Sequence, residues 1–290
     1  MASFDLHLHS NWSYDAFAPV NDFFRFAAQK NLRAIAVTDH HLMDAADEIL
    51  QAAAKFPETG FFSGSEVSVS TPFGLTDLVC LNLPVKPTGK LNELFDIYRR
   101  WQVNYGGALS EILTARGCPL TDEKRMELLK SYRPASAVAK QGNTHVAYGK
   151  LFEFCRNYPE AVPDSPALMK ILDEAALLAP YPDFSEIVPG MKAAGAVIFI
   201  AHPFELFLKN DRRRMDAMRE MLQLDGIECV HPSIPAEITP FYRQYCREHD
   251  LLSSAGSDLH FPQIEKIAAI DAPDYFLDEI CERVTLHHGS

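Results

Sequence analysis

Phe4-Asp5-Leu6-His7-Leu8-His9-Ser10 is the stretch on which the fold turns. Apolar residues alternate there with Asp5, His7 and His9. That period belongs to a β-strand, in which residues two apart point to the same face. Two imidazoles on one face can reach one ion. The pairing returns near the far end of the chain as Gly256-Ser257-Asp258-Leu259-His260. Between them, similar short apolar runs carry the same residue types: Thr38-Asp39-His40-His41, Gly64-Ser65-Glu66, Asp77 within Leu75–Leu81, Ala201-His202-Pro203 and Val230-His231-Pro232.

Working outward, the β-rich runs predict strands at Phe4–Leu8, Ala34–Thr38, Phe61–Val67, Leu75–Leu81, Ala196–Ala201, Gly226–Val230 and Leu251–Ala255. Amphipathic patterns predict helices from an N-cap at Asn21 through Gln29, and over Asp44–Lys55, Ser185–Ala194, Arg212–Leu224 and Ala236–Glu248. Such βα alternation argues for a parallel sheet, and seven strands suit a closed α/β barrel better than a doubly wound sheet. Active sites of α/β barrels are built at the C-terminal ends of the strands. That is the end at which the histidines and carboxylates collect.

The alternation breaks between Lys90 and Asp183, where helices are expected at Leu91–Leu113, Asp122–Lys130, His145–Phe154 and Ala167–Leu178. Pro84, Pro87 and Gly89 precede this stretch and Pro180 and Pro182 follow it. The expected organisation is a barrel from residues 1–89 and 184–290, with residues 90–183 a helical insertion capping the active site. The Leu286–Ser290 tail is expected to be flexible.

Of the 290 residues, 47% are hydrophobic and 23% charged, ordinary for a chain with a sizeable core. Lys and Arg number 27 against 39 Asp and Glu, a net charge of −12. That balance argues against a broad basic face gripping long nucleic acid or an anionic membrane. The first apolar run already contains Asp5 and His7, so no signal peptide is expected, and no run reaches the ~18 residues of a membrane span. The six cysteines form no CxxC pair, which favours reduced thiols and a cytoplasmic location.

The candidate metal ligands are His7, His9, Asp15, His40, Glu66, Asp77, His202, Asp258 and His260. Imidazoles and carboxylates without thiolates suit Zn²⁺, Mn²⁺ or Fe²⁺. One catalytic ion takes about three protein ligands. Nine ligands therefore point to two or three ions sharing a carboxylate, with Glu66 as the expected bridge.

Taken in order, Asp-Leu-His-Leu-His-Ser, Thr-Asp-His, Gly-Ser-Glu, Ala-His-Pro and Gly-Ser-Asp-Leu-His resemble the PHP (polymerase and histidinol phosphatase) family over nearly the whole chain. The insertion looks like that of the subgroup hydrolysing nucleoside 3′,5′-bisphosphates, on Thr144-His145-Val146-Ala147 and Gly226-Ile227-Glu228. The resemblance implies an α/β fold, a distorted seven-stranded (β/α) barrel of PHP type with a helical insertion and a trinuclear centre. It implies that His7, His9, Glu66 and Asp258 hold a first ion, Glu66, His202 and Asp77 a second, and Asp15, His40 and His260 a third. Asp39 would stand behind them and orient an adjacent imidazole. His231 would meet substrate or support a ligand.

This chain departs from the family pattern in three places. Asp77 stands where relatives carry His, which favours a harder ion or a weaker second site. Asn143 stands where they carry a phosphate-binding Arg. Phe204-Glu205 follow Ala-His-Pro, where a small basic residue is expected. Arg133, Lys140 and Lys150 are candidates to replace the missing cation, Arg133 being taken as substrate-binding. The other reading of each is solvated charge.

The expected function is a metal-dependent phosphoesterase, in which a metal-bound hydroxide attacks a small phosphomonoester, nucleotide-like or a sugar or amino-alcohol phosphate. His202 or His231 would assist the leaving group, and His145 would bind substrate over the barrel mouth. The alternatives are a metal-dependent amide or lactone hydrolase and a non-catalytic metal-binding module. The first would be favoured by a catalytic Lys on a middle strand, and the strands offer none. His249 is expected on the solvated surface. Trp12 and Tyr14 would wall the pocket or pack the core. Trp101 and Tyr105, spaced i, i+4, would form a helix-packing face.

Overall fold

The computed structural model describes residues Ala2–Gly289. One sheet runs in sequence order through β1 (Phe4–Leu8), β2 (Ala34–Val37), β3 (Gly60–Thr71), β4 (Gly74–Leu81), β5 (Val197–Ile200), β6 (Gly226–Val230) and β7 (Leu252–Ala255). The β1–β2–β3 and β5–β6–β7 pairings are parallel. Beyond β7 the chain returns to β1, where Asp258 N donates to His7 O at 2.9 Å and His9 N to Leu259 O at 3.3 Å. These bonds draw the sheet into the distorted barrel expected.

The expectation of a wholly parallel sheet fails at β4. This strand is antiparallel to both β3 and β5. Only Pro72 and Phe73 separate β3 from β4, a hairpin connection that cannot return a strand in parallel. The reversal has a consequence for the site. Asp77 lies opposite Ser68 on β3, in the half of β4 nearest the hairpin. An early residue of β4 therefore meets the same barrel end as the late residues of the other strands.

Helices α1 (Val20–Gln29) and α2 (Ala46–Lys55) cover β1–β3, and α1 begins a residue before the expected cap, with Pro19 at its N-cap and Asn21 inside the helix. Proline serves there because its fixed φ suits a helix entry. Between β4 and β5 come α3 (Gly89–Ala115), α4 (Asp122–Lys130), α5 (Ala135–Gln141), α6 (Tyr148–Cys155), α7 (Ser165–Leu178) and α8 (Phe184–Ala193). Helix α6 starts three residues later than expected, leaving His145 in the preceding loop, and the short α5 carried no clear apolar period. The remaining helices are α9 (Arg212–Leu222), α10 (Thr239–Glu248) and α11 (Tyr275–Cys281).

A core of Phe4, Phe62, Leu78, Phe199 and Ile200 continues without a break into Phe95, Tyr98, Leu109 and Leu151 of the intervening helices. A smaller apolar cluster joins α1, with Phe23 and Phe24, to Leu8, Ile35 and Phe61. The chain end is not loose as expected. His287 exchanges two 2.9 Å backbone hydrogen bonds with Phe61, and Leu286 packs against Gly60. Ser290 lies outside the described residues. Among the described residues no helix is long and apolar enough to cross a membrane.

Candidate metal centre

The strand ends deliver the predicted ligands to one place. Three interlocking groups form among the described residues: His7, His9, Glu66 and Asp258; Glu66, Asp77 and His202; and His9, His40 and His260. Glu66, wholly buried on β3, belongs to two of them. His7 Nε2 lies 3.2 Å from Glu66 Oε1 and 3.4 Å from Asp258 Oδ1, while His9 Nε2 lies 3.2 Å from Glu66 Oε2 and from Asp258 Oδ1. His202 Nε2 is 3.3 Å from Glu66 Oε1 and 3.9 Å from Asp77 Oδ2. Asp15 reaches the third group through Oδ2, 3.4 Å from His40 Nε2 and 3.6 Å from His260 Nε2.

His202 Nε2 hydrogen-bonds Glu66 Oε1 at 3.3 Å and His40 Nε2 contacts His260 Nε2 at 3.2 Å, but most of the converging atoms make no hydrogen bond. His7 Nε2, His9 Nε2, His40 Nδ1, Glu66 Oε2, Asp15 Oδ1 and Asp258 Oδ1 are all buried without a hydrogen-bond partner. Buried polar atoms are seldom left so, because each loses its hydration uncompensated. Lone pairs of imidazole and carboxylate turned on common points, with no thiolate among them, are the donor set of hard-to-borderline divalent ions. The residues present fit that group.

The surrounding hydrogen bonds fix which ring nitrogen is left for coordination. His7 Nδ1 meets Glu228 Oε1 at 3.0 Å, and His260 Nδ1 meets the Asp258 carbonyl at 2.9 Å. Each acceptor receives a hydrogen bond from Nδ1–H, so in the neutral ring the lone pair is on Nε2. Asp39, expected to stand behind the ligands, reaches them by way of serine side chains. Its carboxylate accepts from Ser10 N and Ser10 Oγ, both at 2.7 Å, and from Ser13 Oγ at 3.0 Å. Ser13 Oγ in turn accepts from His40 N at 2.9 Å and faces His9 Nδ1 at 3.3 Å. Asp39 therefore acts through a serine.

His231 has the opposite tautomer. Its Nδ1 accepts from Ser233 N at 3.0 Å and contacts Ser233 Oγ at 2.8 Å, so the neutral ring carries its proton on Nε2. That nitrogen lies 3.4 Å from Asp258 Oδ2. His231 stands beside the three groups rather than within them.

The electrostatics follow from packing carboxylates against imidazoles out of water. Burial opposes charge on His7, yet Glu66, Asp258 and Glu228 together hold its pKa well above the usual histidine value. His40 is raised in the same way by Asp15 and Glu66, and His202 rises to about 9. Burial alone would push Glu66 up, but His7, His40 and His202 outweigh it and hold the carboxyl well below its ordinary range. Asp77 is raised, by burial and then by the charge of Glu66. Burial lowers His260 to about 4. His41, His202 and Asp258 all have φ in the left-handed region, at 67°, 31° and 51°. Backbone strain of this kind gathers where surrounding structure imposes a site geometry.

The candidate substrate residues lie against the helices between β4 and β5. The His145 ring sits 3.8 Å from that of Tyr14, with Trp101 and Tyr105 edge-on at 5.5 and 5.1 Å. Burial drives its pKa down to about 3, so it is neutral. Trp101 and Tyr105 thus pack a helix face, as expected, and that face also walls His145. Arg133 is buried, not solvated, and its guanidinium is committed to Trp12 O, Gln141 and Thr144. Lys140 is exposed and Lys150 half-buried, and they pair with Asp44 and Glu153. Asn143 is held by Arg125, whose Nε donates to Oδ1 at 3.1 Å. His249 is part-exposed beside Tyr245.

Sequence reading missed Ser13, Arg125 and the role of Glu228. Ser13 and Arg125 carry no pattern of their own. Glu228 sits in an apolar strand, where a lone acid is itself a signal that a buried partner exists.

A family model described as the PHP domain matches residues 5–153, and the chain belongs to that family. Among curated proteins it is similar to a 5′-3′ exoribonuclease of Haemophilus influenzae, 24% identical over 263 residues that cover 89% of this chain and 90% of that protein. Two solved structures share the fold. One, from Bifidobacterium adolescentis, provisionally named a metal-dependent phosphoesterase, has a TM-score of 0.71 and 20% identity, covering 97% of this chain and 96% of that one. The other is an amidohydrolase from Chromobacterium violaceum with bound sulfate and no metal, also at a TM-score of 0.71 and 20% identity, covering 100% and 99%.

Proposed function

We propose that the chain is a divalent-metal-dependent phosphoesterase that hydrolyses a small phosphomonoester, nucleotide-like or a sugar or amino-alcohol phosphate. The observation that carries this reading is the convergence of buried, unbonded nitrogen and oxygen atoms from His7, His9, His40, Glu66 and Asp258. His7, His9, Glu66 and Asp258 would hold one ion, Glu66, Asp77 and His202 a second, and Asp15, His40 and His260 a third. Such ions lower the pKa of coordinated water and neutralise charge on phosphoryl oxygens.

The chain's own residues supply the rest. His231 keeps a proton on Nε2 and offers it to the departing ester oxygen. His202 instead turns Nε2 to Glu66 and Asp77, which suits a ligand better than a proton donor. Asp39, through Ser13, holds His9 and the His40 backbone in register. His145, kept neutral by burial, hydrogen-bonds substrate without repelling the ions. Residues 90–183 act as the capping insertion that closes over the mouth.

The names of the exoribonuclease and phosphoesterase relatives support ester phosphate as the reacting group. The exoribonuclease also favours a second reading, cleavage at the end of a short oligoribonucleotide; the net charge of −12 disfavours a long strand. A panel of nucleoside mono- and bisphosphates, sugar phosphates, 5′-phosphorylated oligoribonucleotides, lactones and N-acyl amino acids, assayed after Mn²⁺ loading, tests the choice. Inorganic phosphate from a monoester is expected. Release of nucleotides from the oligomer alone would favour the second reading. Turnover confined to lactones or amides would overturn both.

A further inference from the structure

Glu228 lies on β6, outside the three ligand groups, yet it touches two of them. Its side chain is 2% exposed. Oε1 meets His7 Nδ1 at 3.0 Å, and Oε2 accepts from the His202 backbone N–H at 2.7 Å. The two oxygens of one carboxylate therefore serve two histidines from different parts of the barrel, His7 on β1 and His202 just past β5. His202 adopts a φ of 31°, a conformation that an L-residue holds only when its surroundings insist. The bond to Glu228 is such a constraint.

The fold makes room for this arrangement. A Cβ added at Gly256, just past β7, would stand 2.1 Å from His7 Cβ and 2.8 Å from Glu228 Oε1. Glycine there lets the chain close over the Glu228–His7 pair. Seen from the ligands, the acid is asymmetric: it reaches the His7 and His202 groups, whereas the rings of His9 and His260 are oriented by Ser13 and by the Asp258 carbonyl.

We infer that Glu228 is a positioning residue that sets two metal-ligand groups at once, fixing the tautomer of His7 with Nε2 free and pinning the strained backbone that aims His202. The inference rests on the metal-centre reading above. A carboxylate is needed for both tasks because it is acceptor-only at each oxygen. An amide has one acceptor and one donor end. In Glu228→Gln one partner is lost: either His202 N–H faces an NH₂, or His7 Nδ1 does and is driven to carry its proton on Nε2, where it cannot ligate.

The test is Mn²⁺ binding to chelator-stripped full-length protein, with histidine ¹⁵N NMR of the protein reloaded with diamagnetic Zn²⁺. Glu228→Gln is expected to keep a near-wild-type melting temperature without metal. It should bind Mn²⁺ about 10- to 100-fold more weakly at the groups containing His7 and His202, with the His9–His40–His260 group unchanged. With Zn²⁺ the wild-type His7 ¹⁵N shifts should report a ligating Nε2 and a protonated Nδ1, and this signature should weaken in Glu228→Gln. Glu228→Asp, which keeps the charge but shortens the reach, should bind with intermediate affinity. Wild-type Mn²⁺ affinity in both variants would overturn the inference, as would a loss spread equally over all groups in step with melting temperature. Wild-type protein that takes up no divalent ion would overturn the metal-centre reading and this inference with it.

Discussion

Ser13 shows how much of this site rests on residues with no chemistry of their own. Its hydroxyl donates to Asp39, accepts from the His40 backbone and faces His9 Nδ1. Ser13→Ala leaves a buried N–H unpaired and the His9 ring unsupported. It should cost about 1–3 kcal/mol of stability and roughly tenfold in Mn²⁺ affinity, read by thermal melting and isothermal titration. Unchanged values in both would remove Ser13 from the site. Most of the candidate ligands were legible because they are residue types rare in a strand interior, repeated at one end of many strands; Asp15, in the turn beyond β1, lacks that mark. Ser13 was not legible, because a serine after Trp12 has no spacing or charge to mark it. Asp39 was legible as a supporting acid, but its partner was not, since a two-residue offset in a loop does not reveal which side chain it meets.

Elements place these residues, and the least legible was β4. Its apolar run reads the same in either direction, and only the shortness of the Pro72–Phe73 connection requires the reversal. Helix α3 was legible in position but not in its approach to the loop before α6. Gly106 on α3 is the contact point, where an added Cβ would come within 2.9 Å of Thr144 C, Thr144 O and His145 N. Those are backbone atoms and cannot swing away. Gly106→Ala should destabilise the protein by about 1–3 kcal/mol through overpacking. By displacing His145, it should also raise KM more than it lowers kcat. A variant with wild-type KM would show that the loop carrying His145 does not meet substrate.

At the scale of the whole molecule, seven strands and their closing loop gather negative charge and histidines in one buried place, and the chain as a whole carries −12. Three divalent ions would offset half of that charge and do so at the barrel mouth, so an acidic protein can still attract a small phosphate. In the metal-free protein His7 and His40 are raised well above the ordinary histidine value and His202 to about 9, so ions must expel protons to enter. Below these values the proton competes for the ligand. Mn²⁺ affinity should therefore rise with pH between about 6 and 9, by roughly tenfold per unit for each proton displaced. Titration calorimetry in buffers of different ionisation enthalpy would count the protons, and a flat profile would contradict the ligand assignment. Loading to 100 times Kd should add about 2.7 kcal/mol of stability. The closed barrel was readable from strand count and alternation. The residues that close it were not, because the closing bonds involve Asp258 and Leu259, beyond the last strand. The most direct test of the central claim is release of inorganic phosphate from a nucleotide monoester by Mn²⁺-loaded wild-type protein and by the Glu66→Ala, Asp258→Ala double variant. The account predicts release by the wild type, abolished by chelation and absent in the variant; equal release by the variant would contradict it.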